Sequence, residues 1–370
     1  MWQFVQTVKG VFRRLIIAFL VISVPTLILT GVVSEQIFRA LLFSKVGFME
    51  HFRKAELYFD HDSEDNYWKL YYLFDGKIKP PANPHPLLGW IGDFSGETYL
   101  HHQASSVKGR KAVLLYGDSF AGCATAKEEC FQGILNADDE FAAKCYFLNY
   151  GSGGYGVDQI FLILKNSLDH FQNPFVIASL LTQDIDRSTL SVRIGQKPYF
   201  ELVDGELALQ GIPINPDPHA FFAENPPKIP SYLFRLWVQG SGWPQQVRQY
   251  FKGIDHIRNQ KMKINEKLLL NIIYELKKRR LQYIFVVFHV DRAVQDVEWI
   301  DWQDDLIGRV LRENHTTYIS TKEIVKRHLR EHKGTIDDYY IKGDGHPTAL
   351  QNKIVANEMK KVVLHAIRDQ

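Results

Sequence analysis

The sequence predicts an α/β fold in which helices cover both faces of a mostly parallel sheet. Three observations carry that prediction. Apolar runs of strand length recur after residue 112, helical patterns separate them, and turn residues close them. At 370 residues the chain suits one large domain or a domain with a substantial insertion. An apolar share of 45% and a charged share of 23% are those of a globular protein. The net charge of +2 gives no case for a nucleic-acid partner.

The first element is of another kind. Leu15 to Val33 (LIIAFLVISVPTLILTGVV) runs 19 residues without a charge, close to the ~20 that cross a bilayer as a helix. Lys9, Arg13 and Arg14 precede it with no acidic residue to offset them. The positive-inside rule then leaves the N-terminus in the cytoplasm and places the rest outside. The run exceeds the ~7–15 apolar residues of a cleaved signal peptide and lacks an A-x-A-like site, so an uncleaved signal anchor is expected. Residues 1–34 read as cytoplasmic tip and transmembrane anchor, giving a single-pass protein with its main domain outside the cytoplasm.

Residues 35–111 follow as a stalk and an irregular segment. Val32 to Phe59 is largely helical in pattern, and Asp60 to Lys111 is rich in Pro, Gly and aromatics around PPANPHPLLGWIGD. Residues 112–370 carry the alternation. Strands are expected at Val113–Tyr116, Cys145–Asn149, Phe175–Leu181, Tyr283–His289 and Thr317–Ile319. Helices are expected near Ala124–Leu135, Asp158–His170, Asn265–Arg280, Trp302–Asn314 and Ala349–Ile367. The stretch 187–260 is too long for a connection and reads as an insertion. It holds a hairpin turning at Asp204-Gly205, a Pro-rich linker, and an amphipathic stretch from Tyr232 to Phe251 with Trp237 and Trp243. Of three cysteines, Cys123 and Cys130 can bridge in an oxidising compartment, and Cys145 reads as a small buried hydrophobe. No metal-ligand spacing such as C-x-x-C is present.

Four polar stretches sit at strand or helix ends: GDS at Gly117 to Ser119, NYGSGGYG from Asn149, LLTQD ending at Asp184, and KGDGHP ending at Pro347. GSGGYG matches neither the dinucleotide nor the P-loop pattern, so no nucleotide cofactor is expected. Together the four suit acyl transfer. A serine hydroxyl needs a histidine to take its proton, and that histidine needs an acceptor to hold its tautomer. Ser119 would attack, His346 would act as general base and then acid, and Asp344 is the nearest orienting group. The oxyanion would be met by the Ser119 N–H, the Gly154 N–H and the Gln183 side-chain amide.

The order GDSF, then N-x-G-x-G-G, then a polar pair at the third strand, then DGHP before a terminal helix resembles the SGNH (GDSL-type) hydrolase superfamily. The resemblance spans about Ala112 to Ile367. It implies a flavodoxin-like three-layer sandwich and ester hydrolysis or O-acyl transfer without metal or cofactor. By position, Ser119 matches the nucleophile, Gly154 the oxyanion glycine and His346 the base. Two departures stand out. Leu181-Thr182-Gln183-Asp184 replaces the usual G-x-N-D, and Gly343 stands where D-x-x-H has its Asp. Asp344, Asp337 or Asp338 would then orient His346, or the site works as a dyad. The expectation is a serine esterase or O-acyltransferase acting outside the cytoplasm on acylated carbohydrate. A lipase or thioesterase at the membrane surface, or a non-catalytic glycan-binding envelope protein on the same fold, are the alternatives.

Overall fold

In the computed structural model, residues 2–44, 46–58, 64–94, 97–98, 107–240, 254–296 and 301–368 are described. The chain forms two units, one of residues 1–78 with 226–254 and the other of 79–225 with 255–370. Residues 187–260, read from sequence as one insertion, are thus divided between them, and residues 79–111 belong with the sheet.

The larger unit is built on a five-stranded sheet: β1 (Lys111–Gly117), β2 (Cys145–Gly151), β3 (Phe175–Leu181), β4 (Gln282–Phe288) and β5 (Tyr318–Ser320). All pairings are parallel, and the spatial order is β2-β1-β3-β4-β5. That is the flavodoxin-like order, whose direction reverses between β1 and β3. The strands bury both faces, as a parallel sheet requires. One face packs Leu114, Leu148, Val176 and Phe285 beneath α4 (Val157–Ser167), α5 (Ile254–Lys278) and α6 (Trp302–Glu313). The other packs Val113, Phe147, Ile177 and Val286 beneath α3 (Phe131–Ala137), α7 (Thr321–His332) and α8 (Ala349–Arg368). Each of these apolar side chains contributes roughly 1.5–3 kcal/mol by leaving water. The result is the expected three-layer sandwich.

Strand expectations hold to within two residues at each end, and Phe175–Leu181 coincides with its predicted bounds. The helix expected near Ala124–Leu135 is instead a helical turn at Ser119–Gly122, a 3-10 turn at Lys127–Glu129 and α3. Cys123, at φ 75°, breaks the run. The hairpin forms as expected, Tyr199–Val203 pairing with Glu206–Gln210 around Asp204 and Gly205 at φ 51° and 83°.

Residues 79–91 strap onto one face of the sheet. Pro84–His85 pairs with Gly89–Trp90, and Leu88, Trp90 and Ile91 are buried in that face's core. His85 shapes the turn, because its Nδ1 accepts from the N–H groups of Leu87 (3.2 Å) and Leu88 (3.1 Å).

In the smaller unit, α1 (Trp2–Leu42) leads to two 3-10 turns, α2 (Glu64–Asp75) and the helix Tyr232–Gly240. Phe19–Leu42 is long and apolar enough to cross a membrane, with mean hydropathy 1.6 and 6% buried. Within it Glu35 is only 8% exposed. Glu35 caps the helix Tyr232–Gly240 by accepting from Ser231 Oγ (2.8 Å), Tyr232 N (2.9 Å) and Leu233 N (3.1 Å). It also pairs with Arg39 at 2.7 Å. Leu42, Tyr58, Leu70 and Tyr232 form the core below. A charged pair tied to protein is costly in hydrocarbon, so the apolar stretch ahead of Glu35 is the part suited to lipid. Trp243 and the side chains of Lys9, Arg13 and Arg14 lie outside the described residues.

The strap predicts a pH dependence. Burial holds the His85 imidazole below its ordinary value, so the unfolded chain takes up the proton first as pH falls. The stability His85 contributes is present above about pH 6.5 and is lost as pH drops through its folded value. The thermal midpoint of the wild type should therefore fall between about pH 7.5 and 5 more steeply than that of His85→Asn, whose amide oxygen accepts without titrating. Parallel slopes would assign the strap's geometry to other contacts.

Candidate active site

The site forms where β1 and β3 diverge, at the carboxyl ends of the strands. Gly117 has no room for a side chain, since a Cβ there would lie 2.0 Å from Ser179 Oγ on β3 and 2.6 Å from the Ala121 Cβ. The chain therefore leaves β1 sharply. Asp118 caps the next turn by accepting from Phe120 N at 2.9 Å, and Ser119 begins that turn half-buried. Cys123 N donates to Ser119 O at 2.8 Å, and Cys123 is joined to Cys130 in a disulfide. Asn149 at the end of β2 ties in the far side by donating to Ala121 O at 2.8 Å. Cys145 is free and buried in β2, as expected.

His346 arrives from the loop before α8. Its Nε2 lies 2.8 Å from Ser119 Oγ and its Nδ1 lies 2.7 Å from Asp344 Oδ1. With Nδ1–H donating to the carboxylate, Nε2 is left bare to accept the serine proton. A carboxylate only two residues before its histidine needs a tight loop. Gly343 and Gly345, on either side of Asp344, take φ 79° and 78°, the left-handed region that glycine enters without strain. Asp344 N and Gly345 N both donate to Ile341 O, at 3.1 and 2.8 Å. Asp338 is engaged elsewhere, accepting from Thr335 N at 2.6 Å. Thr348 accepts from Gln351 N at 3.4 Å at the start of α8. The Phe120 ring lies 5.1 Å from the imidazole.

Of the three oxyanion donors read from sequence, Ser119 N belongs to the first residue of a helical turn, where no intrahelical acceptor exists. Gly154 lies in the loop after β2. A Cβ on its neighbour Gly153 would stand 3.9 Å from the Ser119 Cβ, so the Gly153–Gly154 peptide runs beside the nucleophile. Gln183 is exposed and directly precedes the turn Asp184–Arg187 after β3.

A charged network behind Ser119 escaped the sequence reading. Arg187 Nη1 donates to Asp118 Oδ2 (3.0 Å), Asp184 Oδ1 (2.7 Å) and Tyr155 O (3.1 Å). Asp184 also accepts from Leu181 N at 2.8 Å. Burial, and then the neighbouring Asp118 charge, push the Asp184 carboxyl well above its ordinary value against the pull of Arg187. Trp90 joins the site from the strap, its Nε1 donating to Gly153 O at 2.9 Å. The only sequence signal for it was an aromatic in a Pro- and Gly-rich stretch. Among the described residues, no group of three or more His, Cys, Asp or Glu is placed to hold a metal ion.

No protein-family model matches the chain. No curated protein matches it in sequence. It is similar in structure to a member of the lipolytic protein G-D-S-L family from Veillonella parvula, at 11% identity and TM-score 0.37, over 68% of this chain and 97% of that one. It is also similar to an acetyl xylan esterase, AlAXEase, at 14% identity and TM-score 0.39, over 68% and 99%. A third likeness is the psychrotrophic esterase EstA from Pseudoalteromonas, at 10% identity and TM-score 0.40, over 70% and 99%. Likenesses of this size carry no argument for activity.

The disulfide closes a loop of sequence separation 7 next to the serine. In the chain-entropy account such a loop contributes about 2–3 kcal/mol. Replacing both cysteines by serine should lower the unfolding free energy by that amount, extrapolated from the urea transition followed by tryptophan fluorescence.

Proposed function

We propose that the chain is an SGNH-type serine esterase or O-acyltransferase, held on a membrane by α1 and acting outside the cytoplasm on O-acyl esters of carbohydrates. The observation that carries this reading is the Ser119–His346–Asp344 chain, with contacts of 2.8 and 2.7 Å, at the switch point of a parallel sheet. The motif order supports the superfamily. The anchor rests on the apolar stretch of α1 and the basic residues ahead of it.

In the first half-reaction His346 Nε2 takes the Ser119 proton as Oγ bonds to the acyl carbon. The carbonyl π electrons move to oxygen, and that oxyanion is met by the Ser119 and Gly154 N–H groups and the Gln183 amide. The tetrahedral intermediate collapses, the ester C–O bond breaks, and His346 gives its proton to the departing alcohol. Asp344 holds the imidazole and offsets its positive charge. In the second half, water or a carbohydrate hydroxyl gives its proton to His346 and attacks the acyl carbon; the acyl–Oγ bond then breaks and His346 returns the proton to Ser119 Oγ. Water yields the free acid and a hydroxyl yields a new ester, so one acyl-enzyme serves both outcomes.

The test uses the full chain in detergent micelles and a fluorophosphonate probe. Mass should be added at Ser119 in the wild type and not in Ser119→Ala or His346→Ala, with all three folded by circular dichroism. A folded wild type that does not label would overturn the reading. Asp344→Asn should label about 10²–10⁴-fold more slowly, because the imidazole loses its acceptor. Gln183→Ala should cost about 10²-fold in turnover of a p-nitrophenyl ester, and an unchanged rate would remove Gln183 from the oxyanion site. Acetate release from acetylated oligosaccharides then tests the substrate class.

A further inference from the structure

The loop after β2 is tied down on both sides of its two central glycines. Ser152 N donates to Gly117 O at 3.1 Å, and Tyr155 O accepts from Arg187 at 3.1 Å. Between these anchors lies the Gly153–Gly154 peptide, which two glycines leave freer to rotate than any peptide flanked by side chains. That peptide carries the N–H assigned to the oxyanion. If it turned over, it would present a carbonyl oxygen to a developing negative charge.

Trp90 meets this need. Its Nε1 donates to Gly153 O at 2.9 Å. In a trans peptide the carbonyl and the following N–H point in opposite directions. An indole that holds the carbonyl on one side therefore fixes the N–H on the other. Trp90 is itself immobilised: it is 4% exposed, and its carbonyl accepts from Tyr155 OH at 2.6 Å. A residue earlier, Gly89 completes the short pairing within the strap, and Leu88 O accepts from Gln159 Nε2 at 2.7 Å. The strap is thus bonded to the residues on both sides of the oxyanion loop's helix junction.

We propose that Trp90 is a positioning residue for oxyanion stabilisation. It locks the Gly153–Gly154 peptide with the Gly154 N–H toward the carbonyl oxygen of the acyl group attacked by Ser119. This rests on the serine-hydrolase reading, and its consequence is that residues 79–91 complete a site otherwise supplied by the sheet and its loops.

The sequence contains a single Gly-Gly pair, so full-length protein labelled with 13C′- and 15N-glycine gives one two-bond-selected amide signal, that of Gly153–Gly154. Trp90→Phe keeps an aromatic ring and removes the donor. It should shift that signal, lower kcat of the folded protein about 10- to 100-fold for a p-nitrophenyl ester and leave KM within about two-fold, beyond whatever the lost packing takes from the thermal midpoint. Should Trp90→Phe fail to fold, β-(3-benzothienyl)alanine at position 90 replaces the N–H by sulfur at nearly constant shape and should give the same pattern. A merely structural role would lower the midpoint and leave kcat of the folded fraction intact. Unaltered kcat, or an unmoved Gly153–Gly154 signal, overturns the proposal. Wild-type protein that neither labels with fluorophosphonate nor turns over ester overturns the underlying function instead, and the two failures are read separately.

Discussion

The contact between Ser119 and His346 joins residues 227 positions apart, and it depends on the sheet between them. Ser119 leaves the end of β1, in the centre of the sheet, while His346 enters from the loop preceding the last helix. Their meeting at 2.8 Å requires that β1, β3 and β4 keep register over their full length and that α8 pack squarely on its face. Val355, Ala356, Met359 and Val363 do the latter, all completely buried. A shift of even 1 Å in that packing would separate His346 from Ser119, and in the proposed reaction would cost about 10²-fold in rate.

Charge near the nucleophile is managed by burial as much as by pairing. Asp118 and Asp184 share the single guanidinium of Arg187. Burial pushes the Asp184 carboxyl up, with Asp118 beside it adding to the push, while Arg187 pulls the other way. Asp158, at the start of α4, shows the same balance. Burial pushes it up to about 6 even though Lys197, itself fully buried, pairs with it. Such pairs add little net stability over apolar packing, yet removing one member strands the other. Their cost is tolerable only where geometry matters more than stability.

The strands were legible because each is a short apolar run that a parallel sheet buries on both faces, and β3 shows this most plainly. The serine and histidine were legible because their chemistry demands a base within reach. Asp344 was one of several candidates until the two glycines beside it were seen at φ 79° and 78°, a conformation no residue count reveals. α7 escaped because its sequence, TKEIVKRHLREH, offers only Ile324 and Val325 as fully packed apolar residues. Arg187 and Trp90 escaped for a different reason. Arg187 joins Asp118, 69 positions away, and Trp90 donates to the Gly153 carbonyl, 63 positions away, and such separations leave no local mark in the sequence. The division of residues 187–260 had no local signal either, since the Glu35 carboxylate, which binds the start of the helix Tyr232–Gly240, lies 196 positions before Ser231.

That carboxylate has a consequence for the order of synthesis. Glu35 and the Ser231 hydroxyl it binds are 196 residues apart, and β1, β2 and β3 are all translated between them. At roughly 5–20 residues per second the interval is on the order of ten to forty seconds. Throughout it α1 exists without the helix that Glu35 caps, and Glu35 has only Arg39, one turn further along α1, as its partner. A charged pair is costly in hydrocarbon. Under the anchoring proposed above, that pair limits how far the newly made helix sinks into a bilayer, and Glu35 later becomes the clasp that closes the unit.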